Sequence, residues 1–112
     1  MNIEKIDPFT IVYGEKSTSL ILNVGEFRTE IFAERKNEGF EGNGYDWGSL
    51  AAVFLEEKMP ELKADIGFDP EGDMFCAYSN NRQALESFAI AFHAMCTDSE
   101  QMRDLFSRAE LD

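Results

Sequence analysis

The spacing of apolar residues changes character three times along the chain. From Phe9 to Ala33 it is close to two: Phe9, Ile11 and Tyr13, then Leu20, Leu22 and Val24, then Phe27, Thr29, Ile31 and Ala33. That period sends alternate side chains to opposite faces of an extended strand. Glycines in Tyr13-Gly14 and Gly25-Glu26 mark the turns between runs. A three-stranded meander with one wet face is therefore expected here, with Arg28, Glu30 and Glu34 on the wet side of its third strand.

From Trp47 the period lengthens. Trp47, Leu50, Ala51, Phe54, Leu55 and Met59 form one helical stripe, and Glu56 and Glu57 lie off it. Asp46 is placed to act as N-cap, and Pro60 ends the helix. Alternation returns in Ala64, Ile66 and Phe68, with "DPEGD" as the turn and Phe75 and Ala77 on the returning strand. Asn80 and Asn81 can cap the next helix, whose stripe is Leu85, Phe88, Ala89, Phe92 and Cys96. Asp98, with Gln101 three residues on, has capping-box spacing and opens a last short helix carrying Met102, Leu105 and Phe106.

The expected order is β-β-β-α-β-β-α-α. Grouped hairpins point to an α+β fold: an antiparallel sheet of about five strands with helices packed on one face. A length of 112 residues suits one domain over residues 1–112. With 44% hydrophobic residues and ten phenylalanines, the chain has a core to bury.

Charge changes the picture more than composition does. The net charge is −12, of which residues 1–36 carry −1 and residues 37–112 carry −11. Such a field repels phosphate backbones and disfavours nucleic-acid binding, while it favours encounter with a basic protein. Plain solubility explains the same charge equally well. The start of the chain has no apolar run before a small-residue cleavage site, and no segment reaches the length of a membrane span. The expectation is a cytoplasmic protein with reduced thiols and no membrane partner.

Candidate chemistry is sparse. His93 is the sole histidine, and Cys96 three residues later cannot complete a four-ligand site, so no metal or other cofactor is expected. As a nucleophile and base the same pair fails, since Cys96 lies on the apolar stripe and an activated thiol needs exposure and a positive setting. Cys76 is expected to be a small packing residue. Glu56-Glu57 and Glu71/Asp73 read as solvated acids rather than an acid and base, and the chain is not expected to be an enzyme. "GFEGNG" lacks the Lys-Ser/Thr and the βαβ setting of a phosphate loop, and its acids would repel phosphate. What remains is acids interleaved with aromatics. Trp47 is expected in the core, because it heads a helical stripe. Tyr45 is open to either role.

The runs "EGFEGNGYDWGSLAAVFLEEKMPEL", "IGFDPEGDMFCAYS" and "DLFSRAELD" carry a family resemblance. Over roughly residues 38–112 the chain resembles the immunity protein 51 family of bacterial polymorphic toxin systems. The resemblance implies a small cytoplasmic antitoxin that binds a cognate toxin domain and blocks it without catalysis. An acidic adaptor or binding module with no toxin partner is the alternative. For an immunity protein, the contact surface is expected to draw on Glu38, Glu41, Tyr45 and Asp46, joined by Glu71 and Asp73 of the later hairpin. Whether residues 39–45 touch the partner or only shape the turn is left open by the sequence.

Overall fold

The structure is a computed structural model that describes residues 6–111. Four strands form one antiparallel sheet: β1 (Thr10–Tyr13), β2 (Thr18–Asn23), β3 (Gly67–Phe68) and β4 (Met74–Ser79), in spatial order β1-β2-β4-β3. Among the described residues four α-helices accompany it: α1 (Thr29–Ala33), α2 (Gly44–Lys58), α3 (Arg82–Cys96) and α4 (Ser99–Phe106). The α+β class is as expected, with four strands in place of about five.

The expected third strand is helix α1. Arg28 turns the chain in the left-handed region (φ 55), and Ile31 and Phe32 are then buried side by side. The reason is topological. Leu20 of β2 already faces Ile11 on one side and Ala77 on the other, so β2 has no edge left for the next segment. A strand would also have left Phe32 on the wet face beside Glu30 and Glu34, whereas a helical turn takes Ile31 and Phe32 inward together. The start of the later hairpin is shortened for a different reason. The amides of Asp65 and Ile66 bond back to the Leu62 carbonyl at 2.9 and 3.1 Å, so β3 keeps only two residues and Ala64 stays exposed.

On the inner face of the sheet, Thr18, Leu20 and Leu22 of β2 stand opposite Ser79, Ala77 and Phe75 of β4, all buried. The stripes of α2 and α3 cover them and α4 packs against both helices, with Leu50, Phe54, Leu85, Phe88, Phe92, Met102 and Leu105 all buried. Trp47 is 1% exposed and is the hub of this core. Its ring meets Phe9, Phe27, Phe32, Phe75 and Phe92 at centroid distances of 5.0–6.4 Å. Each such pair adds about 0.5–1.5 kcal/mol beyond the area it buries. The placement of Trp47 in the core is thus as expected.

The other face of the sheet carries Thr10, Val12, Ser19, Ile21, Asn23, Met74, Cys76 and Tyr78, none of them charged. Among the described residues no helix packs on this face, and Val12 and Tyr78 are 52% and 42% exposed.

Candidate partner-binding surface

The glycine-rich loop is organised by one buried carboxylate. Asn43 caps α2 by accepting the Asp46 amide at 2.8 Å, and Asp46 Oδ2 accepts the Asn43 amide in return at 3.4 Å. The same Oδ2 accepts from Glu41 N–H at 2.7 Å and Gly42 N–H at 2.8 Å. Asp46 therefore stands at the third helical position of a capping box, and Asn43, not Asp46, is the N-cap. Three successive amides and the positive end of the helix dipole converge on its negative charge.

A second contact locks the loop to the β3–β4 turn. Gly44 N–H donates to the Gly72 carbonyl at 3.1 Å. A Cβ at position 44 would lie 1.9 Å from the Glu71 carbonyl oxygen and 2.2 Å from that of Met74, so only glycine fits. One helical turn on, Gly48 faces Pro70 with ordinary spacing, 3.6 Å from a built Cβ to Pro70 Cγ. The turn itself is closed by paired bonds between Glu71 and Met74 at 2.8 and 3.2 Å, and Val24 N–H holds the Asp73 carbonyl at 3.1 Å.

Arg35 makes the third fixture. Its guanidinium lies over Phe40 (4.4 Å) and Phe106 (4.9 Å) and donates to the carbonyls of Phe106 and Ala109. Its remaining nitrogens hold Glu38 at 2.8 and 2.9 Å, and those bonds keep the Glu38 carboxyl below the usual range. The C-terminal segment is thereby drawn back over the loop. Leu111 Cδ2 sits 2.8 Å from where a Cβ of Gly39 would be, and Gly39 itself has φ 109.

Of the residues expected at the contact surface, Glu41, Tyr45, Glu71 and Asp73 are exposed and their segments meet through the Gly44–Gly72 bond. Glu38 is exposed but engaged by Arg35. Asp46 is 2% exposed, and its carboxylate is turned into the loop. The sequence reading missed Leu111. It lines a cleft of about 400 Å³ together with Gly39, Glu41, Asn43, Tyr45 and Asp46. No periodic signal marks Leu111, because its place depends on Arg35 folding the tail back.

Elsewhere, Cys96 is fully buried, and burial pushes its thiol far above the ordinary value. Burial, and then the charge of Asp69, raises Cys76 as well. His93 Nε2 lies 3.1 Å from the Asp7 carbonyl, with its ring edge-on to Phe9. Among the described residues no three His, Cys, Asp or Glu side chains gather as a metal site needs, and no helix is long and apolar enough to cross a membrane.

No curated protein and no solved structure matches the chain. The family model described as Immunity protein 51 matches residues 9–111, which carries the likeness from the glycine loop back through the first strands. On that match, spanning nearly the whole chain, the protein belongs to the immunity protein 51 family.

Proposed function

We propose that this chain is an immunity protein that binds a cognate toxin domain one to one in the cytoplasm and blocks it, with no catalysis of its own. The observation that carries this reading is the family match over residues 9–111. The rest of the molecule is consistent with it. A surplus of −11 in residues 37–112 would speed capture of a basic toxin surface. The segments that carry Glu41, Tyr45, Glu71 and Asp73 are held by bonds from backbone amides, so little conformational freedom remains to be lost on binding. Tyr45, 43% exposed, is the residue type that anchors interfaces.

Co-expression with the toxin domain encoded beside this gene tests the reading. Growth is expected to be rescued, and the two chains are expected to copurify in equal amounts. If growth is not rescued and nothing copurifies, the immunity reading is wrong; an adaptor would leave toxicity unchanged.

A further inference from the structure

Among the described residues five large apolar side chains are conspicuously exposed: Val12, Tyr13, Tyr45, Tyr78 and Leu111. Three have a local setting. Val12 and Tyr78 belong to the bare face of the sheet, and Tyr13 is covered by Arg82, whose guanidinium lies 4.3 Å from its ring centre. The other two, Tyr45 and Leu111, line the same cleft, and Glu41 lines it with them.

The chain shows twice how it holds an arginine. Arg82 lies over the Tyr13 ring and reaches Glu86 at 3.4 Å. Arg35 lies over the Phe40 ring and reaches Glu38 at 2.8 Å. In both cases an aromatic face and a carboxylate share one guanidinium. Tyr45 and Glu41 bring the same two groups to one cleft, but among the described residues no cation pairs with Glu41, whose carboxylate only accepts from Asn43 Nδ2 at 3.3 Å. The chain's own arginines are committed elsewhere: Arg28 to Glu30, Arg103 to Glu34, Arg108 to Glu57 and Asp104, and the two just described.

We infer that the cleft between Tyr45 and Leu111 receives an arginine side chain of the toxin. This inference rests on the immunity reading for the identity of the partner. Leu111 lines the methylene stem, the Tyr45 ring faces the guanidinium plane, and the Glu41 carboxylate pairs with its fork. Arginine is favoured over lysine because its planar group satisfies a ring and a carboxylate together. The cleft is ready-made, since the Glu41 amide is fixed on Asp46 and Arg35 pins the backbone leading to Leu111.

Two measurements test this on the intact chain. In an NMR titration at low salt, Nα-acetyl-arginine amide is expected to shift the amides of Glu41, Tyr45 and Leu111 saturably, with a Kd on the order of millimolar. The uncharged isostere Nα-acetyl-citrulline amide is expected to leave them in place, and Tyr45→Ala is expected to abolish the arginine response. With the neighbouring-gene toxin, Tyr45→Ala and Leu111→Ala are each expected to weaken binding about tenfold, and Val12→Ala to leave it unchanged. Equal shifts from arginine and citrulline, or none from either, overturn the inference. So does toxin binding by folded Tyr45→Ala and Leu111→Ala chains within about twofold of wild type. If the unaltered chain binds no toxin, the immunity reading fails on its own, while the amide titration still decides whether the cleft takes arginine.

Discussion

Replacing Gly44 with alanine puts the loop-to-turn contact under direct test. The new methyl would lie 1.9 Å from the Glu71 carbonyl oxygen, where real contacts keep at least 3.0 Å, so the β3–β4 turn must retreat by about 1 Å. Both obstructing atoms are backbone, and the Glu71–Met74 bonds hold them, so no side-chain rotation relieves the clash. Overpacking of this kind costs about 1–3 kcal/mol, and loosening the Gly44–Gly72 hydrogen bond adds about 1 kcal/mol. Better helix propensity returns less than about 1 kcal/mol at this first helical position. The net loss is about 1–4 kcal/mol, or a melting temperature lower by roughly 5–20 °C for a domain of this size. Gly48→Ala is the internal comparison. Its methyl meets Pro70 at an ordinary 3.6 Å, so the change should stabilise the helix by about 0.5–1 kcal/mol. Urea titration followed by the fluorescence of Trp47, the single tryptophan, measures both. A Gly44→Ala chain as stable as wild type, or a Gly48→Ala chain destabilised equally, would refute the reasoning.

Asp46→Ala removes the acceptor for the amides of residues 41–43 and is expected to cost about 2–4 kcal/mol in the same assay; Asp46→Asn, which keeps one oxygen, should cost less. Arg35→Ala is expected to destabilise by about 2–3 kcal/mol and to expose the amides after Phe106 to hydrogen exchange, and Arg35→Lys should not restore them, because a single ammonium nitrogen cannot span the two carbonyls and both carboxylate oxygens that the three guanidinium nitrogens reach. Arg108 holds Glu57 and Asp104, and its hydrogen bonds keep both carboxyls below their ordinary values. The folded state therefore binds fewer protons than the unfolded one as pH falls below the usual carboxylate values. This contribution is present above them and lost as pH drops through the folded-state values. In Arg108→Gln the melting temperature should fall less steeply between about pH 5 and pH 3.

The three long or capped helices were legible because their stripes repeat over several turns: Trp47 to Leu55, Leu85 to Cys96, and Met102 to Phe106 are buried where the period places them. Asp98 caps α4 through the Gln101 amide at 3.1 Å, and Asn81, the second of the two candidates, caps α3 through Ala84 at 3.1 Å. The start of α2 was misplaced by three residues, since Asn43 and Asp46 have box spacing too but glycine at position 44 conceals the first turn. Helix α1 reads as a strand in the sequence because five residues are too few to separate a period of two from one of 3.6. The adjacent pair Ile31-Phe32 was the local sign against a strand. At the candidate surface, the exposure of Glu41, Tyr45, Glu71 and Asp73 was legible from residue type and from their place in or beside turns. Leu111 could not, because its position follows from a distant arginine, and the inward turn of the Asp46 carboxylate needed the path of the loop backbone.

The uncovered sheet gives the chain's acidity a second consequence, colloidal rather than recognitional. An uncharged, partly apolar face bearing Val12, Ile21 and Tyr78 is the kind of surface through which copies of a protein stick together. At neutral pH every copy carries −12 and is kept apart from the next by mutual repulsion. Near the isoelectric point of about 4.4 that protection vanishes while the face is unchanged. The surplus of carboxylates thus acts as the molecule's dispersant, and its solubility minimum should fall in mild acid.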